Sequence, residues 1–232
     1  MQVSPPTVDQ GRVADAVAAL RGRIGELAGG RDVQIVAVTK GFGSDAIRAA
    51  AAAGCSMVGE NYAQELVAKV DELGGLDADG LPQVHFIGRL QTNKVRHVAA
   101  IVDVWQSVDR PSIVDEIARR AARATVFVQV NATGEAGKGG CLPDHVEALV
   151  RHCRAAQLDV AGLMAVGPTS PSAAATGEAF ALVRRLADDN GLIGRSMGMS
   201  ADMEIAIEHG ATHVRIGSAL FGQRPHPRAR IG

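Results

Sequence analysis

Cysteine is scarce: Cys55, Cys141 and Cys153 are an odd number with no C-x-x-C spacing, which argues against a disulfide framework and a zinc site. They read as small buried or partly buried thiols. Aromatic residues make up only 3 % of the 232. With no exposed heptad either, a monomer is expected. No stretch of 18 uninterrupted apolar residues occurs, and the N-terminus lacks the basic, then apolar, then small-residue order of a secretion signal. An excess of either charge is missing too, since 24 Lys plus Arg face 25 Asp plus Glu. That balance argues against nucleic acid and against an anionic membrane as the main partner. The basic stretch 224–230 is short and Pro-rich and reads as a solvated end. A cytoplasmic protein is expected.

What the chain does contain is alternation. Short apolar runs predict strands over 33–39, 56–59, 84–87, 102–107, 125–130, 158–166, 195–197 and 212–216. Helical patterns over 44–53, 62–73, 91–99, 111–122, 143–155, 173–189 and 201–209 lie between them, and another over 8–27 precedes the first strand. Ser44, Ser112 and Ser200 are candidate caps, Pro143 suits a first turn, and Gly54 and Gly210 suit helix C-termini. Eight strands with intervening helices in this length predict an α/β fold, a single-domain (β/α)8 TIM barrel with an extra N-terminal helix. It spans 1–232, with tails at 1–7 and 225–232. A doubly wound sheet is disfavoured because no G-x-G-x-x-G follows the first strand.

The unusual polar residues fall at the ends of different predicted strands, which a barrel brings to one face. They include Lys40, Glu60-Asn61-Tyr62, Gly88 with Gln91, Asn93 and Lys94, Asn131, Ser200, and Arg215 with Gly217-Ser218; Met164 ends strand six. Lys40 closes Val33-Gln-Ile-Val-Ala-Val-Thr-Lys40, where apolar surroundings favour the neutral amine that condenses with an aldehyde. The plainer alternative is a lysine snorkelling to water. Gly217, Ser218 and Ser200 follow strands eight and seven, where barrels commonly hold phosphate, although singly they read as a turn and a cap. Arg215 sits within a strand and needs an acceptor: a buried carboxylate, or the ring nitrogen of a pyridoxal cofactor. Because arginine keeps its proton, that ring would be a weak electron sink.

Several runs together resemble one family. They are Ile35-Val-Ala-Val-Thr-Lys40, Gly59-Glu-Asn-Tyr62, His85-Phe-Ile-Gly-Arg-Leu-Gln-Thr-Asn-Lys94, Gly162-Leu-Met164, Met197-Gly-Met-Ser200-Ala-Asp202 and His213-Val-Arg-Ile-Gly-Ser-Ala-Leu-Phe-Gly222. From about residue 10 to 224 the chain resembles the pyridoxal phosphate homeostasis protein family, whose barrel is related to the N-terminal domain of alanine racemase. The resemblance implies a pyridoxal 5'-phosphate cofactor on a Schiff base at Lys40. It also implies phosphate contacts from Ser200, Gly217 and Ser218, Arg215 at the pyridine nitrogen, and Asn61 and Met199 along the ring. The implied role is cofactor storage, buffering and delivery to apo forms of pyridoxal phosphate enzymes, with no catalytic residues.

Two enzymatic alternatives stand beside it. A free-standing amino-acid racemase needs a second base opposite Lys40, for which Tyr62 is the only tyrosine; a Schiff-base aldolase would use Glu60. The segment 130–141 is richer in glycine than the family's usual version. Its glycines suggest a mobile loop over 134–140, with Lys138 as a solvated loop lysine or a transient second acceptor during release.

Overall fold

The computed structural model describes residues 7–75 and 80–223. The expected tails, Thr7 apart, and the basic stretch 224–230 lie outside the described residues. Eight parallel strands close into one barrel in sequence order: β1 (Gln34–Val38), β2 (Met57–Glu60), β3 (Gln83–Phe86), β4 (Val104–Val108), β5 (Thr125–Val130), β6 (Asp159–Ala165), β7 (Gly194–Ser196) and β8 (His213–Ile216). β8 returns to β1 with Val36 opposite Arg215, so no sheet edge is left open.

The helices follow the expected alternation: α1 (Gln10–Ala28), α2 (Ser44–Ala52), α3 (Ala63–Leu73), α4 (Thr92–Val98), α5 (Pro111–Arg120), α6 (Val146–Ala155), α7 (Ala173–Asp189) and α8 (Met203–Glu208). A four-residue α9 (Ser218–Phe221) follows β8. It is too short to cover the β8–β1 seam, and α1 packs there against α2, α8 and α9.

The cap assignments need correction. Ser44 is the first residue of α2, after Gly43 as cap, and Ser112 lies inside α5 behind Arg110 and Pro111. Ser200 lies in a turn ahead of α8, whose cap is Asp202. The capping side chains are Asp9, which accepts from Arg12 N at 3.1 Å, and Ser172, which accepts from Ala175 N at 3.1 Å. Pro143 opens a 3-10 turn (Pro143–His145) that runs into α6.

Alternation along each strand builds two cores. Outward residues such as Ile35, Ala37, Val58, Trp105, Val126, Val128 and Leu163 join the helices in one large apolar cluster. Inward residues Val104, Phe127 and Met164 form a separate small one. Much of the rest of the interior holds buried polar residues, His85, Gln106, Ser196 and Arg215 among them. Barrel interiors are usually filled by branched apolar side chains, so this departure directs attention to the interior and to the mouth above it.

Candidate functional site

At the C-terminal mouth lies a cavity of about 400 Å³. Its wall includes Lys40, Asn61, Met199, Ser200, Arg215, Gly217 and Ser218, so all seven candidate residues meet there, from the ends of β1, β2, β7 and β8. Val38, Ile87, Met164 and Val166 give it an apolar floor. The volume is within the roughly 300–1,000 Å³ of small-molecule sites.

Lys40 is half-buried, two residues beyond β1. The backbone on either side of it is tied down by a cluster the sequence reading missed. Lys69 is 3 % exposed and donates to Thr39 O at 2.8 Å and to Glu60 Oε1 at 2.6 Å. It also pairs with Glu65 Oε1 at 2.7 Å, and that oxygen accepts from Gly41 N at 2.5 Å. Thr39 Oγ1 donates to Glu60 Oε1 at 2.6 Å. Both neighbours of Lys40 are thus fixed to one buried ionic group. Burial pushes the Glu60 carboxyl up, and Lys69 and Thr39 pull it back. A clue was present in α3, where Lys69 falls three residues after Leu66 on the buried face with Ala63.

Arg215 is 4 % exposed and finds no carboxylate in hydrogen-bond contact among the described residues. Nη1 donates to Ser196 O at 2.6 Å and to Ser196 Oγ at 2.8 Å, and Nη2 to Ala165 O at 2.7 Å. The buried salt bridge weighed for it is therefore absent from those residues. Burial pulls the guanidinium down to about 10, opposed by the Asp202 carboxylate, so it stays charged at neutral pH.

Asn61 reaches the wall because Gly88 lets it approach: a Cβ at Gly88 would collide with the Asn61 carbonyl. The Asn61 Oδ1 is buried without a hydrogen-bond partner. A buried acceptor left over on a cavity wall fits a ligand that brings a donor. Ser200 and Met199 are exposed on the rim. Asp202 Oδ1 accepts from Met199 N at 2.6 Å and shapes that turn. Gly217 and Ser218 open α9, at the N–H groups an α-helix leaves without internal partners.

Other strand-end residues do not join. Tyr62 is 58 % exposed and is not part of the cavity wall. Glu60 is sealed beneath Lys69. Gln91 caps α4, Asn93 and Lys94 lie within it, and Asn131 donates through Nδ2 to Glu135 O at 2.9 Å. The segment 134–140 is an organised turn. Lys138 Nζ donates to Gly167 O at 2.5 Å and to Glu135 Oε1 at 2.9 Å, and Glu135 also accepts from Thr169 N at 3.0 Å. Contacts with Thr169 and Lys138 hold the Glu135 carboxyl down to about 2. Its glycines meet a backbone need, since Gly134, Gly137 and Gly140 have φ of 69°, 80° and 116°. Lys138 is therefore neither solvated nor on the cavity wall.

This fold and mouth define a class, the barrel of the alanine racemase N-terminal domain type, and the profile of that domain family matches residues 8–225. The structure of alanine racemase from Corynebacterium glutamicum superposes with a TM-score of 0.72 at 17% identity, covering 99% of this chain and 66% of that one, a likeness of fold alone. Within the class, the chain belongs to the family of pyridoxal phosphate homeostasis proteins. The Pseudomonas aeruginosa protein of that name is 41% identical over 226 residues, covering 92% of this chain and 96% of the relative. PipY of Synechococcus elongatus, solved with PLP bound, is 32% identical with a TM-score of 0.76, covering 90% of this chain and 100% of that one.

Proposed function

We propose that this protein holds pyridoxal 5'-phosphate reversibly at Lys40 and serves cytoplasmic cofactor homeostasis as a store and carrier rather than as a catalyst. One observation carries the reading: an amine, a buried cation, a helix start and an unpartnered acceptor share one cavity. When bound, the cofactor supplies an aldehyde for covalent attachment. Lys40 offers the amine, and Arg215 presents positive charge to the ring nitrogen. Asn61 offers Oδ1 to a donor on the ring, while Ser200, Ser218 and the first amides of α9 face the phosphate. Lysine as the covalent anchor matches an open rim, because an incoming amine can displace it.

The wall favours binding over turnover. Two-base chemistry needs an acid or base on each face of the cofactor, and the ionisable side chains on the described wall are the two cations Lys40 and Arg215. The racemase alternative loses Tyr62 to solvent, and the aldolase alternative loses Glu60 to its ion pair.

The test mixes cofactor-loaded protein with an apoenzyme while a trap consumes free pyridoxal phosphate. Reactivation faster than dissociation into the trap is expected, and reactivation at the dissociation rate leaves only a passive store. Borohydride reduction should add one pyridoxyl mass at Lys40, and a protein that takes up none does not have this function.

A further inference from the structure

Four polar side chains from four strands form one chain of hydrogen bonds inside the barrel. Arg215 on β8 donates through Nη1 to Ser196 Oγ on β7 at 2.8 Å. Ser196 Oγ donates to Gln106 Oε1 on β4 at 2.6 Å. Gln106 Nε2 lies 2.6 Å from His85 Nδ1 on β3. β4 and β7 are not neighbours in the barrel, so the Ser196–Gln106 bond crosses its interior. His85, Gln106 and Ser196 are each at most 1 % exposed.

The direction of the bonds follows from Arg215 and the orientation of the Gln106 amide. Arginine can only donate, so Ser196 Oγ accepts from it and, with Gln106 Oε1 turned toward it, sends its single hydrogen there. The amide then turns its NH2 to His85, whose Nδ1 has to accept. The imidazole is neutral, with its hydrogen on Nε2. Burial, with His213 nearby, holds His85 down to about 3, in keeping with that state. The chain ends at Nε2, which has no hydrogen-bond partner, beside a second cavity of about 360 Å³ at the N-terminal mouth.

We propose that Ser196, Gln106 and His85 are positioning residues for Arg215, orienting its guanidinium toward the upper cavity through neutral partners, with no carboxylate in hydrogen-bond contact. A carboxylate in the place of Gln106 would still accept from Ser196 but would bring a negative charge to within two hydrogen bonds of the guanidinium. A neutral amide, polarised in one sense from the guanidinium to a neutral imidazole, fixes orientation and spares the charge. The assignment deepens the pyridoxal phosphate reading, on which it rests, by naming what holds the group that meets the ring nitrogen.

Nitrogen-15 NMR of histidine in the ligand-free protein tests the polarity without any cofactor. His85 is expected as the Nε2–H tautomer in the wild type and as an Nδ1–H donor in Gln106→Glu. A wild-type proton on Nδ1 reverses the chain and overturns the proposal. Binding tests the consequence. Gln106→Leu should weaken pyridoxal phosphate roughly tenfold, as when a hydrogen bond to a charged group is misplaced, while saturating cofactor still attaches at Lys40. Ser196→Ala should give the same loss, and adding it to Gln106→Leu should cost nothing further. Should Gln106→Leu not fold, Ser196→Ala alone carries the measurement. Wild-type affinity in the folded variants refutes positioning. A wild type that attaches no pyridoxal phosphate sinks the functional reading instead, and the His85 tautomer still decides the relay.

Discussion

Replacing Lys69 by methionine should be among the costliest single changes outside the apolar core. The substitution keeps the length of the side chain and removes the charge that satisfies Glu60, which is 0 % exposed and already has one oxygen, Oε2, without a partner. Removing one member of a buried pair costs about 3–5 kcal/mol, because the other charge stays uncompensated. For a domain of this size each kcal/mol shifts the melting temperature by roughly 2–4 °C, which gives a drop of about 6–20 °C.

The sign with pH separates this cause from lost packing. Without Lys69 the Glu60 carboxyl, already pushed up by burial, rises further in the folded state. A group whose folded value is raised favours folding below its unfolded value and loses that contribution as pH climbs through the folded one. The deficit of Lys69→Met relative to wild type should therefore be large at pH 8 and shrink toward pH 5. Thermal melting of the cofactor-free protein by circular dichroism at the two values measures it, and adding Glu60→Gln should recover most of the loss at pH 8. A melt within about 2 °C of wild type at pH 8, or a deficit unchanged by acid, refutes the reasoning.

Three further outcomes follow from the site. Lys40→Ala should abolish the borohydride-trapped pyridoxyl mass while dialysis still detects non-covalent binding, because the other contacts remain. Arg215→Ala should weaken pyridoxal phosphate roughly tenfold or more, on the scale of about 1.5–3 kcal/mol for hydrogen bonds to charged groups, measured by fluorescence titration of folded protein. Lys138→Ala should leave the release rate unchanged, since Lys138 is bound to Glu135 and Gly167 away from the cavity wall; a slower release in stopped-flow would return it to the path.

The barrel was legible because buried parallel strands read as short apolar runs and their helices carry a 3.6-residue pattern. The ends of those elements were less so. Ser44, Ser112 and Ser200 all had the chemistry of a cap, yet capping depends on the φ and ψ of the residue before the first turn, which composition does not determine. The mouth of the site could be assembled because strand-end polar residues converge in a barrel, and Lys40, Asn61, Arg215 and Ser218 do so. Gln91, Asn93 and Asn131 shared that sequence position and diverged, because helix starts and turn hydrogen bonds claimed them. The glycines of 134–140 pose a related ambiguity, since the same residue serves both free loops and turns that need positive φ.

The residues missed altogether, Gln106, Ser196 and Lys69, stand behind the cavity wall, where sequence position says little about partners. Ser196 and Gln106 are 90 residues apart and meet only because the barrel closes. Gln106 and Lys69 did leave a local mark: a polar side chain inside the buried strand Val104–Val108, and a lysine three residues after Leu66 on the buried face of α3. Buried polar groups are costly unless fully paired, and apolar residues of similar size would stabilise the same barrel as well. Their presence fits a site in which Lys40 and Arg215 must be held in fixed places from behind. Lys69 and its carboxylates tie the backbone on either side of the first, and Ser196 grips the second while Gln106 holds Ser196. The two supports differ in charge for a physical reason. The ionic cluster acts on backbone around Lys40, whereas the neutral relay touches the guanidinium itself, where a carboxylate would neutralise the charge that the proposed role assigns to the ring nitrogen.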